Sequence, residues 1–159
     1  MLGNFADYKG GKKGLEILLE AKQKYGCRII IFGVTKPSYI PSEVEYYISP
    51  KREKIISLYR ESDILLFPTL KEAWGLTAIE AMANKVAVVG MKTGCLAEIG
   101  NDYINCLLSE GDFDVLKAKL FEIINNDNLI GQLEQNAYKL VKKFKWSQSF
   151  EKFEEIITN

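Results

Sequence analysis

Two glutamates eight positions apart bracket a turn and an apolar helix: Glu72-Ala-Trp-Gly-Leu-Thr-Ala-Ile-Glu80, continuing Ala81-Met82-Ala83. A helical glutamate is ordinarily solvated, but Glu80 has apolar neighbours on both sides. An ionised carboxylate buried in such a run costs several kcal/mol unless hydrogen bonds or a counter-charge meet it. Glu80 is therefore expected to be buried and supplied with donors, and a ligand's hydroxyls would serve. Glu72 precedes the helix, where a loop can aim it into a cleft. Trp74, Gly75, Leu76 and Thr77 open the helix, whose first amides can hold an anion. Carboxylate, anion site and second carboxylate, in that order, suit the sugar, diphosphate and ribose of a nucleotide-sugar.

The rest of the chain limits the chemistry available. There is no histidine among the 159 residues. This removes the commonest metal ligand and the commonest general base, and argues against a zinc site or a serine–histidine mechanism. Lys and Arg balance Asp and Glu at 21 each, so no net charge favours nucleic acid. Three scattered cysteines, Cys27, Cys95 and Cys106, include no C-x-x-C pair. An odd count without a secretion signal points to a reducing cytoplasm. No apolar run reaches the ~18 residues expected of a spanning helix. Gly10-Gly11-x-x-Gly14 invites a phosphate-loop reading, but it matches neither G-x-x-x-x-G-K-[ST] nor G-x-G-x-x-G after a full strand.

These residues must be positioned by elements that the hydrophobic pattern makes legible. Short apolar runs at 27–32, 44–48, 64–67, 86–89 and 106–108 read as buried strands, and Met1-Leu2 reads as the stub of another. Between and after them, residues 13–25, 51–61, 75–83, 95–99, 115–124, 129–144 and 146–157 read as helices. Alternating strands and helices predict an α/β fold, a doubly wound parallel sheet of about six strands covered on both faces. Ligands in such sheets bind beyond the carboxyl ends of the strands. Loops 3–13, 68–75 and 90–98 lie there. A single domain accounts for residues 1–159, and the opening Met1-Leu2-Gly3 reads as a strand cut short, as if within a larger protein.

In order and spacing, the motifs resemble the C-terminal, donor-binding domain of a GT-B, family-4-type retaining glycosyltransferase. Lys13-Gly14 is similar to the Lys-Gly that opens the first helix, and Ile29-Ile-Ile-Phe-Gly33 to the strand that follows. Leu58-Tyr59, Ser62-Asp63-Ile64 and Phe67-Pro68-Thr69 resemble the next motif. Glu72-Ala-Trp-Gly-Leu76 with Glu80-Ala-Met-Ala83 resembles the paired-glutamate signature. Val88-Val89, Gly94, Glu98-Ile99 and Phe144-Lys-Trp-Ser147 complete the series. The resemblance implies that Glu72 meets the transferred sugar and Glu80 the ribose hydroxyls. It implies that Lys13 neutralises the diphosphate, aided by the amides of Gly75, Leu76 and Thr77 beside Trp74. The base would rest near Ile48 and Ser49, and no metal or other cofactor is expected.

The chain also departs from the family pattern. Asp7 stands where an Arg is usual, so Lys9 or Lys12 would supply the second positive charge. Asn84-Lys-Val-Ala87 replaces Cys-Gly-Thr-Pro. Cys95 replaces the second Gly of a Gly-Gly pair, and is expected to narrow the loop beside the sugar. The implied partners are a nucleotide-sugar and an N-terminal acceptor domain outside this chain, the full-length enzyme working in the cytoplasm or at the inner face of the membrane in polysaccharide or glycolipid assembly. A non-catalytic nucleotide-sugar-binding module or partner subunit is the competing class. Trp146, Phe150, Phe153 and Ile157 form one stripe that the last helix would turn toward the acceptor domain, so Phe153 and Ile157 are expected to be more exposed than Trp146.

Overall fold

A computed structural model describes residues 1–158. Its elements, in chain order, are a single 3₁₀ turn at Asp7–Lys9, α1 (Gly11–Tyr25), β1 (Ile30–Gly33), β2 (Glu45–Ile48), α2 (Arg52–Arg60), β3 (Ile64–Phe67), α3 (Leu76–Ala83), β4 (Ala87–Met91), α4 (Cys95–Glu98), β5 (Leu107–Ser109), α5 (Phe113–Ile123), α6 (Asp127–Val141) and α7 (Trp146–Thr158). All pairings are parallel. β1 pairs with β2, and β4 lies between β3 and β5. The expected sixth strand is reduced to one parallel bridge, Leu2 to Phe32. The chain leaves the extended conformation at once and turns into the polar loop, so only Leu2 reaches ladder register. Five strands plus this bridge replace the expected six.

Both faces of the sheets are covered, as parallel strands buried on both sides require. On one face Leu58 and Tyr59 of α2, Ala78, Ala81 and Met82 of α3, and Leu96 of α4 close over Leu65 and Val88. On the other, Ile17 and Ala21 of α1 and Leu116, Leu120 and Ile123 of α5 close over Leu66, Val89 and Leu107. Helix ends follow local chemistry. Asp112 accepts the amides of Asp114 and Val115 to start α5, Asn126 accepts that of Leu129 to start α6, and Gly26 ends α1 with φ +72°.

Two loops at the carboxyl ends of the strands are held in backbone contact. The Tyr8 carbonyl accepts the amides of Leu70 at 2.9 Å and Lys71 at 3.1 Å. Beside them Gly10, at φ +61°, lies so close to Pro68 that a Cβ there would stand 2.2 Å from the Pro68 carbonyl oxygen. Only glycine tolerates both the left-handed backbone and that approach.

At the C-terminus, Phe150, Phe153, Ile156 and Ile157 of α7 are all exposed. The side chain of Trp146 lies outside the described part, so the expected contrast with it is not drawn. Among the described residues no helix is long and apolar enough to cross a membrane.

The glycines yield a paired prediction. Gly10→Ala places a Cβ against backbone in a left-handed conformation and lowers stability by on the order of 2 kcal/mol or more. Gly131→Ala, inside α6 with open space around the added carbon, raises it by roughly 0.5–1 kcal/mol. Urea unfolding of both variants checks the two signs.

Candidate functional site

The contact between the two loops brings Lys9 to Glu72. Lys9 Nζ lies 2.7 Å from Glu72 Oε2, with the two side chains only 15% and 20% exposed. Glu72 Oε1 accepts the Ala73 amide at 3.0 Å. An exposed ion pair contributes at most about 1 kcal/mol, but partial burial lowers the effective dielectric and strengthens this one. Lys13 is placed elsewhere. It sits on the outer face of the first turns of α1, well exposed, and pairs with Glu16 at 2.8 Å. That pairing raises the Lys13 pKa, first through the hydrogen bond and then through the charge of Glu16. The chain carries Lys-Gly twice, at 9–10 and 13–14, and the structure brings the first to Glu72. Lys12 is exposed and lies near the Tyr39 ring.

A second loop buttresses the turn that begins α3. Gly94, at φ +54°, packs against Trp74, where a Cβ would stand 2.6 Å from the Trp74 carbonyl oxygen. The Cys95 amide donates to that carbonyl at 2.6 Å, and the Cys95 thiol to the Gly75 carbonyl at 3.5 Å. The first intrahelical bond runs from the Ala78 amide to the Gly75 carbonyl at 3.0 Å. No side chain caps this helix. The first-turn amides of Leu76 and Thr77 thus end α3 in the positive potential of a helix N-terminus. Trp74 and Leu76 are exposed at this mouth. Cys95 does not narrow it, contrary to expectation. Its side chain is fully buried behind the turn and holds Gly75.

Glu80 lies one turn further along α3. It is half-buried, with its side chain 36% exposed, rather than buried as its apolar neighbours imply. Its helix is short, and one edge of it remains open to solvent. Protein donors meet it. The Tyr59 hydroxyl donates to Oε2 at 3.3 Å, and Arg52 Nη1 lies 3.6 Å from Oε1. Tyr59 is the partner that sequence reading missed. Its signal was present, since a tyrosine at an inward helix position needs a mate for its hydroxyl.

Ile48 ends β2, Ser49 follows it, and both are exposed. Ser49 adopts φ +41°, with its amide donating to the Gly33 carbonyl at 2.7 Å and its hydroxyl to the Val34 carbonyl at 3.4 Å. Beside it a cleft of about 640 Å³ is lined by Asn4, Phe5, Gly33, Thr35, Ser49 and Ile55. Arg52, the first residue of α2, follows this region in the chain and pairs with Glu80. Another cleft of about 400 Å³, between α1, α5 and α6, contains none of these groups. Among the described residues no three His, Cys, Asp or Glu side chains are grouped to hold a metal ion.

Comparison with known proteins gives this arrangement a family. Residues 1–140 match the family of glycosyl transferases group 1, and the chain belongs to it. It is 29% identical, over 93% of its own length and 47% of the other, to an uncharacterized glycosyltransferase of Methanocaldococcus jannaschii. It resembles the crystal structure of the C-terminal domain of a glycosyl transferase group 1 family protein from Francisella tularensis, with TM-score 0.76, 27% identity, and 87% and 80% of the two chains covered. The same fold occurs in HepE from Anabaena, solved in complex with UDP-glucose, with TM-score 0.82 at 16% identity over 98% of this chain and 46% of that one. The chain spans less than half the length of the curated relatives it matches. The fold is that of the C-terminal half of a GT-B glycosyltransferase.

Burial governs the thiols. It pushes Cys95 up to about 11 and Cys106 up to about 12, while Cys27 is partly exposed. Iodoacetamide at pH 8 is therefore expected to label Cys27 and to spare Cys95 and Cys106 until the protein unfolds. The unfolded thiols ionise first as pH rises, so the unfolded state binds fewer protons and stability falls above pH ~8.5–9. Mass spectrometry of native and denatured samples, with melting curves across that range, measures both effects.

Proposed function

We propose that this chain is the donor-binding domain of a retaining, family-4-type glycosyltransferase that moves a hexose from a nucleotide-diphosphate sugar to an acceptor. The observation that carries this reading is the Lys9–Glu72 pair, 2.7 Å apart, on the loops beside the uncapped start of α3. Lys9 supplies the positive charge for the diphosphate, the role that sequence resemblance gave to Lys13. The amides of Leu76 and Thr77, with Gly75, add the helix dipole. Glu72 accepts from hydroxyls of the transferred sugar. Glu80 accepts from the ribose, and the base rests by Ile48 and Ser49, beside the cleft at Gly33 and Thr35. The UDP-glucose bound to HepE, a protein of the same fold, supports a nucleotide-sugar as donor.

The chemistry follows from the charges. Breaking a glycosyl–phosphate bond builds positive charge on the sugar ring and negative charge on the departing diphosphate. A cation and oriented amides fixed where that negative charge grows stabilise the transition state more than the ground state. Lys9 is already held in place before the donor arrives, so little reorganisation is needed. This set of charges suffices without a divalent metal. The acceptor would be held by a separate N-terminal domain, with the exposed stripe of α7 turned toward it. On this reading the isolated chain binds donor but transfers little, and the whole enzyme serves polysaccharide or glycolipid assembly in the cytoplasm or at the inner face of the membrane.

Calorimetry with UDP, GDP and ADP in the presence of EDTA is expected to give binding to at least one. Glu80→Gln weakens that binding by roughly tenfold to a hundredfold, through loss of charge-assisted bonds. Glu72→Gln releases Lys9 and removes a negative charge near the diphosphate, so nucleotide affinity holds or rises by about fivefold. Turnover in the full-length enzyme falls. Equal loss of nucleotide affinity in the two variants would reject this division of roles.

A further inference from the structure

A carboxylate that is to accept from two neighbouring hydroxyls must present its oxygens in a fixed plane. A glutamate side chain has three rotatable bonds and loses that freedom only if something holds it. Two protein groups reach Glu80. Arg52 stands 3.6 Å away with its side chain 77% exposed. That distance is too long for a good hydrogen bond, and a solvated guanidinium fixes little.

Tyr59 is different. It is only 4% exposed, in the last turn of α2, with its ring edge-on to Phe32 at 5.9 Å and 85°. Its hydroxyl lies 3.3 Å from both the Thr77 carbonyl oxygen and Glu80 Oε2. One proton serves one of them at a time, and the ionised carboxylate is the stronger acceptor. Burial first, then the charge of Glu80, push the phenol well above its ordinary pKa, so it remains a donor.

We propose that Tyr59 is a positioning residue for donor recognition: its buried hydroxyl fixes the plane of the Glu80 carboxylate and makes the site selective for ribonucleotides over 2′-deoxyribonucleotides. The inference rests on the assignment of Glu80 to the ribose. Tyr59 itself does not touch the ligand. It holds Oε2, while Oε1 has only the solvated Arg52 guanidinium 3.6 Å away and stays open to a ligand's hydroxyls. A ribose diol can then bind without first ordering the side chain, and the loss of one hydroxyl leaves a positioned lone pair unmet.

The test measures dissociation constants for UDP, GDP, ADP, their 2′-deoxy counterparts and inorganic pyrophosphate. The proteins are the wild type, Tyr59→Phe, Glu80→Gln and the double variant. The wild type is expected to prefer the ribonucleotide, and Tyr59→Phe to shrink that preference by about tenfold. Pyrophosphate affinity stays unchanged in Tyr59→Phe, because pyrophosphate has no ribose. In the Glu80→Gln background, Tyr59→Phe changes nothing further. Glu80→Asp keeps the charge but draws the carboxylate away from Tyr59, and it shrinks the preference without touching the core. An unchanged preference in both Tyr59→Phe and Glu80→Asp, or additive effects in the double variant, would overturn the inference while leaving the donor site intact. A wild-type chain that binds none of the nucleotides would overturn the donor-site reading and this inference with it.

Discussion

The structure depends on one close approach of backbone to backbone. Gly10 lies against the Pro68 carbonyl, and Tyr8 receives the amides of Leu70 and Lys71. Those contacts join the loop before α1 to the loop after β3. Beyond the single 3₁₀ turn at Asp7–Lys9, neither loop has regular structure to hold it alone. Joined, they place Lys9 against Glu72. A side chain at position 10 would push the loops apart and with them the pair.

The same logic repeats on the other side of α3. Gly94 lets a second loop approach Trp74, and the backbone and thiol of Cys95 take the carbonyls of Trp74 and Gly75. The turn that begins α3 is therefore gripped from both sides, while the helix start itself carries no capping side chain. An uncapped helix N-terminus beside a half-buried cation is a natural seat for a doubly charged leaving group. Tyr59, from the buried side of α2, holds the next functional group along the helix. The site is thus built from four parts of the chain: the loop before α1, α2, the loop after β3 with α3, and the loop after β4.

Much of this was legible beforehand. Periodicity located the seven α-helices to within a few residues, and the apolar runs located five strands, because burial on both faces leaves a strong signal. The two glutamates and the turn between them were legible for the same reason: a charge amid apolar residues stands out. The choice of lysine was not. Lys9-Gly10 and Lys13-Gly14 look alike as dipeptides, and both glycines pack against Pro68; what separates them is that Gly10 is a left-handed turn against the Pro68 backbone carbonyl, which brings Lys9 to Glu72, whereas Gly14 lies within α1 against the Pro68 ring and leaves Lys13 on the outer face of the helix. The half-buried state of Glu80 was missed because its exposure depends on where α3 lies against α2 and α6, which periodicity does not report. Cys95 was expected to narrow the loop, yet its side chain is buried, because sequence gives position in a loop but not direction.

The central claim is that the lysine held by Glu72 is the one that meets the diphosphate. Lys9→Met and Lys13→Met, compared by calorimetry with the best-binding nucleoside diphosphate, test it directly. The account predicts a loss of affinity of about tenfold or more for Lys9→Met, as for a charge-assisted contact in a partly buried site, and little change for Lys13→Met, whose ammonium is solvated and already paired with Glu16. Loss of affinity in Lys13→Met with Lys9→Met unaffected would contradict it.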